Sequence, residues 1–462
     1  MKNRKLLSCI LAISILAMAG CTDIENISNA EFTTTSGEPT KIADVQYNSP
    51  NTIATQIVSE STTPAVTTTT TFETTTTAET TTTQATTTTT ATTTTVATTT
   101  TTETTTEAPP VIPLTNKAFK PTDNFVKKLG RTYYYNDALW LAMPASGIEF
   151  TVTGTRAEIE LLGDNVSTAS WGKKNLSRVA VFVDGVRVAD TLMDSKTKTI
   201  TAFECDTEIT ATIKIIKLSE CINSTVAIKN VSVTSLGDIA PTTARPYKIE
   251  FIGDSITAGF GIDINNPYTE FTTASEDITK TYGYRTAQAF GADVSIVAFS
   301  GYGIMSGTVK HIPDYYYSHG KSLGKFDETL DLPTVGWDFS QYQPDLIVIN
   351  AGQNDISYCT GNPQREAEFV SAYVKFLKQV RKVNPNATIL CTLGIMSGSL
   401  YDEIELAVSR YTSETGDTNV YAMQFDKQLK SDGYAIAFHP TEATHIKAAN
   451  ALIAKIQQIK GW

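Results

Sequence analysis

The hydrophobic period of this chain changes once, between residues 240 and 246, and no single-layer fold accommodates both halves. From 115 to 240 apolar residues alternate with polar ones: Ile148, Phe150, Val152; Ala157, Ile159, Leu161; Ile209, Ala211, Ile213, Ile215; and Val226, Ile228, Val231, Val233 with one break. A period of two sends successive side chains to opposite faces, so these runs read as half-buried strands. Asp184-Gly185, between Val179–Val183 and Val186–Val188, is a type I′ hairpin signal. Several short strands with regular turns predict an all-β sandwich, jelly-roll-like, over 115–240, with no helix of useful length. From 246 to 462 strand and helix patterns alternate. Strands are expected over 248–252, 294–299, 346–349, 388–392 and 420–425, and helices over 279–290, 363–383 and 441–459. Five strands interleaved with helices predict an α/β domain with a doubly wound, flavodoxin-like parallel sheet.

Residues 1–20 read as an export signal: Lys2, Arg4 and Lys5 form a basic head, and Leu6–Met18 an apolar core too short for a comfortable membrane span. Met18-Ala19-Gly20-Cys21 resembles a bacterial lipobox, which would make Cys21 a lipidated first residue. The alternative is a plain cleavage site followed by a coincidental cysteine. Residues 21–114 predict a disordered linker, because Thr62–Thr106 is nearly all threonine and offers nothing to bury. Such a composition is shared by O-glycosylated stalks, and would hold the folded part away from a membrane.

The formal charge is −11, and it becomes more negative when the basic head is lost. That argues against nucleic acid or an anionic membrane surface as a partner, so a lipid anchor is the one membrane contact expected. None of the six cysteines forms a C-x-x-C pair, and no metal or cofactor is expected. Cys205 and Cys221 flank one hairpin and pair only if their Cα atoms come close. Cys359 and Cys391 are expected as buried thiols. A monomer is expected.

Phe251-Ile252-Gly253-Asp254-Ser255 runs from a strand into a helix start, which places Ser255 at the carboxyl edge of the sheet. Open α/β sheets bind ligands there. Alone, Ser255 is either a nucleophile or a helix N-cap serine. Three further blocks fall at the same edge: Ser300-Gly301-Tyr302-Gly303, Gly352-Gln353-Asn354-Asp355 and His439-Pro440. Together the four resemble the GDSL/SGNH hydrolases over residues 246–462. The resemblance implies Ser255 as nucleophile, His439 as base, and Gly303 and Asn354 as oxyanion donors alongside the Ser255 N–H. A serine needs a neighbouring base, and its tetrahedral intermediate needs donors fixed beforehand. Of the other histidines, His311 and His319 suggest surface or packing roles, and His445 a structural hydrogen bond to the sheet. No acid stands two or three residues before His439, where Ala437 and Ile436 lie. A Ser–His dyad is expected, its imidazole oriented by a main-chain carbonyl. Asp432 and Glu442 are the nearest carboxylates, and Asp254 and Asp355 are expected to brace their own loops.

Gly130-Arg131-Thr132, Ile148-Glu149-Phe150 with Gly154, Phe182–Gly185, Trp337-Asp338-Phe339-Ser340 and Phe438-His439-Pro440 extend the resemblance to carbohydrate esterase family 2, over about 117–462. It implies removal of O-acetyl groups from acetylated plant polysaccharide, xylan or glucomannan. Phe438, Tyr302 and Trp337 then become candidate sugar-stacking residues, with ordinary packing as the alternative for each. A polysaccharide-binding protein, or an esterase of the same fold acting on lipid or peptidoglycan esters, are the competing functions.

Overall fold

The computed structural model describes residues 113–305, 311–327 and 329–462. The expected export signal, Cys21 and the threonine run lie outside the described residues. What is described forms one compact unit. No helix among these residues is long and apolar enough to cross a membrane.

The first half is an antiparallel sheet of ten strands: β1 (Thr115–Phe119), β2 (Lys127–Leu129), β3 (Thr132–Tyr135), β4 (Ala138–Leu141), β5 (Gly147–Gly163), β6 (Arg178–Val183), β7 (Val186–Leu192), β8 (Thr197–Lys217), β9 (Val226–Ser235) and β10 (Ala240–Pro241). The main path runs β3-β4-β9-β5-β8-β6-β7. The expected sandwich is built from one continuous hydrogen-bonded sheet rather than two separate ones. β5 and β8, 17 and 21 residues long, pair along both of their halves. Their register shifts between Gly154 and Arg156, and a bulge of this kind bends a strand. The alternating residues Ile148, Phe150, Val152, Ile159, Leu161, Ile213, Ile215, Ile228 and Val231 form its core. Its only helices are two 3-10 turns, Asn165–Thr168 and Ser170–Lys174.

The second half is a parallel sheet of β11 (Lys248–Gly253), β12 (Asp293–Ala298), β13 (Leu346–Asn350), β14 (Thr388–Ile395) and β15 (Val420–Lys427), in the order β12-β11-β13-β14-β15. The second strand lies outside the first, which is the flavodoxin order. β13 and β14 are buried at every residue, as strands covered on both faces must be. The helices are α1 (Ser255–Ala258), α2 (Tyr282–Ala289), α3 (Ile312–Tyr315), α4 (Ile356–Cys359), α5 (Pro363–Val383), α6 (Tyr401–Thr415) and α7 (Glu442–Lys460). In α5 the Asn362 side chain caps the Arg365 N–H, Pro363 opens the first turn, and Phe369, Tyr373, Phe376, Leu377 and Val380 line one buried face. The expected helix over 279–290 is split. Ile278–Lys280 is a 3-10 turn, and Thr281 then takes extended angles and caps α2. α6 is an addition to the sequence reading.

Cys205 and Cys221 are not joined by a disulfide. Cys359 and Cys391 are buried thiols, and burial pushes both up, to about 11 and about 12. Across the two sheets, the buried Arg131 guanidinium donates to both oxygens of Glu250 on β11 at 3.2 Å, and Tyr316 Oη donates to the same carboxylate at 2.9 Å.

Candidate active site

β11 ends at Gly253, where a Cβ would overlap the Thr257 hydroxyl. Asp254 follows, and its Oδ1 accepts the Ile256 N–H at 3.0 Å. The helix this cap starts, α1, lasts one turn before Gly259 stops it at φ 82°. Ser255 is its first residue, 6% exposed. Helix start and strand end thus present the serine at the carboxyl edge, with its N–H making no hydrogen bond among the described residues.

His439 reaches this serine from the far end of the chain. Its Nε2 lies 2.8 Å from Ser255 Oγ and its Nδ1 lies 3.0 Å from Ile436 O. A carbonyl only accepts, so Nδ1 carries the proton and Nε2 is left to accept from the serine. Burial holds the His439 pKa below the ordinary imidazole value, with the neighbouring carbonyls of Ile436 and Ala437 opposing part of the shift. The turn that presents the ring is unusual: Ala437 and Phe438 both sit in the left-handed region, at φ 51° and 62°. Three hydrogen bonds hold it there: Ala437 N–H to Pro267 O at 2.9 Å, His439 N–H to Ile436 O at 3.1 Å, and Gln428 Nε2 to Phe438 O at 2.9 Å. Non-glycine residues persist at such angles only where their surroundings over-determine them. Both neighbouring carboxylates are engaged elsewhere. Asp432 pairs with Lys447 at 2.7 Å, and Glu442 pairs with Arg285.

The other two blocks close the opposite side. Phe299–Tyr302 is a turn in which the Tyr302 N–H donates to Phe299 O at 3.2 Å, with Gly301 at φ 78°. Gly303 follows, pressed against Asp355: a Cβ there would lie 2.5 Å from the carboxylate. Asp355 accepts the N–H groups of Ile304 and Met305 at 2.8 and 2.7 Å, so it braces the loop of Gly303. Gly303 forms an isolated parallel bridge with His311, its carbonyl accepting the Ile312 N–H at 2.9 Å. Asn354 Nδ2 donates to Tyr302 O at 2.9 Å and lies 3.4 Å from Asp254 Oδ2. Burial, with Asp355 nearby, pushes Asp254 up to about 7. A buried serine hydrogen-bonded to a neutral imidazole, with the Ser255 N–H at a helix start, is equipped for acyl transfer. Among the described residues no cluster of His, Cys, Asp and Glu is arranged to hold a metal ion.

Residues 251–446 match the GDSL-like Lipase/Acylhydrolase family, and residues 128–242 match the carbohydrate esterase 2 N-terminal family. The chain carries a carbohydrate esterase 2 N-terminal domain followed by a GDSL-like domain. A cellulase/esterase of Acetivibrio thermocellus is 34% identical over 220 residues, which are 46% of this chain and 26% of that protein. An acetylxylan esterase / glucomannan deacetylase of Cellvibrio japonicus is 27% identical over 351 residues, 74% of this chain and 90% of that protein. This chain therefore spans a minor part of the first relative and most of the second. The solved acetyl xylan esterase of the rumen bacterium Butyrivibrio proteoclasticus shares the fold, with a TM-score of 0.68 at 23% identity over 76% of this chain and 100% of that one.

The three expected stacking residues separate in the structure. Phe438 is 46% exposed and adjoins His439. Tyr302 is 4% exposed, its ring packed between Phe299 and Tyr315, and its carbonyl accepts from Asn354 Nδ2 in the site. The structure corrects Trp337 outright. It is 7% exposed and takes the Arg131 guanidinium against its ring, toward the amino end of β11, away from Ser255. Its place beside a sequence block did not predict its place in space. Missed in the sequence were Phe260, Tyr268, Phe271 and Tyr434. Phe260 stacks on Phe271 at 3.9 Å and packs on the His439 ring at 4.5 Å. Tyr268, 83% exposed, and Tyr434 each meet Phe438 at 5.6 Å. The sequence signal for Phe260, Tyr268 and Phe271 was no more than proximity to Ser255, and for Tyr434 proximity to His439; the Pro267–Ala437 hydrogen bond brings the Tyr268 segment beside the His439 turn.

The remaining histidines have structural surroundings. His311 pairs with Asp314 at 3.2 Å. His319 is buried beside Tyr133 and Trp337, and burial lowers it to about 4. His445 is buried on α7, and its Nδ1 accepts the Tyr282 N–H at 3.2 Å; it caps α2 rather than bonding the sheet.

Proposed function

We propose that this protein removes O-acetyl groups from acetylated plant polysaccharide, xylan or glucomannan, using Ser255 as nucleophile and His439 as base. The observation that carries the reading is the 2.8 Å hydrogen bond from Ser255 Oγ to His439 Nε2. The relative of Cellvibrio japonicus, matched over 90% of its length, supports the substrate class. On this reading His439 takes the serine proton as Oγ attacks the acetyl carbonyl. The oxyanion is met by the N–H groups of Ser255 and Gly303 and by Asn354 Nδ2. The imidazolium returns its proton to the departing sugar oxygen, leaving acetyl-Ser255. Water, activated by the same imidazole, then releases acetate and free serine. Ile436 O stabilises the Nδ1–H bond throughout, in the position where a triad would hold a carboxylate. Phe438, Tyr268 and Tyr434 offer apolar rings against which a sugar face can lie.

Acetate release from acetylated xylan and glucomannan, compared with peptidoglycan and long-chain esters, tests the substrate. Ser255→Ala is expected to lose at least three orders of magnitude in kcat on a polysaccharide substrate, and a loss of tenfold or less would sink the assignment. The reading extends to location: the protein is carried outside the cytoplasm and held at the cell surface by acylated Cys21, with the threonine segment as tether. Cys21→Ala should move the protein from the membrane fraction to the medium. Retention in the membrane would refute the anchor.

A further inference from the structure

The turn Phe299–Tyr302 delivers Gly303 to the site, and it is not held by its own domain alone. Gly301 at φ 78° occupies the third position, as a type II turn requires. Such a turn leaves the N–H of its second residue, here Ser300, without a partner inside it. That N–H donates to Glu220 Oε2 at 2.8 Å. Glu220 belongs to the antiparallel half, three residues beyond β8, and is 1% exposed.

Glu220 is itself fixed by buried groups. Its N–H donates to Glu276 Oε2 at 3.0 Å, and Asn223 Nδ2 lies 3.4 Å from its Oε1. Lys217 Nζ donates to the carbonyls of Ser219 and Glu220 at 2.7 and 2.6 Å. Glu276 and Lys217 are as buried as Glu220. Two carboxyls and an ammonium out of water are a poor way to gain stability, since apolar side chains fill such a volume better. The cluster instead sits where a loop of the site needs an acceptor. On the other side of Gly303, Asp355 holds the N–H groups of Ile304 and Met305.

We propose that Glu220 is a positioning residue for the esterase reaction: its carboxyl fixes the Phe299–Tyr302 turn, and so aims the Gly303 N–H at the forming oxyanion. The inference rests on the reading of Ser255 as nucleophile and Gly303 as donor given above.

Three variants separate reach from charge. Glu220→Gln keeps the length and an acceptor oxygen. Glu220→Asp keeps the charge but is one methylene short of Ser300. Glu220→Ala keeps neither. The measurements are kcat and KM on 4-nitrophenyl acetate, affinity for methylboronic acid (whose tetrahedral adduct on serine mimics the oxyanion) and the melting midpoint. Glu220→Gln should stay within about threefold of the parent in kcat. The Asp and Ala variants should lose ten- to a hundredfold in kcat with KM within twofold, approaching the cost of one oxyanion donor. Boronate affinity should fall with kcat. If Glu220→Ala does not fold, the Gln and Asp pair decides the matter. Full activity in Glu220→Asp, a tenfold or greater loss in Glu220→Gln, or a lowered melting midpoint with unchanged boronate affinity would each overturn the proposal. An inactive Ser255→Ala alongside a fully active Glu220→Asp refutes only this inference. An active Ser255→Ala refutes the reading beneath it.

Discussion

His439 has a partner on each ring nitrogen, and only one of them is a side chain. The Ile436 carbonyl fixes the tautomer as an acid would, but it carries no full charge to stabilise the imidazolium. Burial also disfavours the charged ring, so the His439 pKa lies below 6.5. As the proposed base, His439 works only when neutral. Activity as kcat/KM should therefore be level through neutral pH and fall as pH drops, with the midpoint of that acid limb below 6.5. A midpoint at 7 or above, in a pH–rate profile on a neutral ester, would contradict the assignment. At this scale the sequence was informative where a residue type is scarce. Four histidines left few ways to pair one with Ser255. Aromatic residues are common, and adjacency to a motif does not tell exposure from burial. Tyr302 and Trp337 both adjoin such blocks, yet one packs into the core and the other under Arg131.

Elements with a strong buried face were legible, and those without one were not. α5 presents seven buried residues and two clear end signals. α6 buries only Ile404, Ala407 and Tyr411, and it follows the turn-like Ser397-Gly398-Ser399, so its period is faint. The split before α2 has a different cause. Thr281 leaves the helical path to cap Tyr284, and His445 of α7 accepts the Tyr282 N–H beside it. That long-range cap has no local signature. It also has a pH consequence. Burial lowers His445 to about 3, far below an unfolded histidine near 6.5. Its contribution is therefore complete above pH 6.5 and is lost as pH falls through that range toward 3. His445→Gln preserves an acceptor for the Tyr282 N–H and removes the titration. Melting midpoints of this variant should fall less steeply than the parent's between pH 6.5 and 4. An unchanged slope would exclude His445 as a contributor.

For the whole molecule, the change of period near residue 245 separated the antiparallel from the parallel sheet, but nothing local revealed how the two are joined. Nothing in Gly130-Arg131-Thr132 itself places the guanidinium on Glu250, among Tyr316, Trp337 and Phe339. Removing one partner of a buried pair leaves the other uncompensated. Arg131→Ala should thus cost about 3–5 kcal/mol in denaturant unfolding. The double variant Arg131→Met with Glu250→Gln should recover part of it. A loss under about 1 kcal/mol for the single variant would show the pair to be dispensable. The contact between Ser300 and Glu220 has a practical meaning for anyone reducing this protein to a minimal form. A shortened chain beginning at residue 246 would keep the serine, the histidine and every strand of the parallel sheet. It would also leave the Ser300 amide and the Glu276 carboxyl facing water where a neighbour used to be, so trimming has to stop short of the strip 217–221.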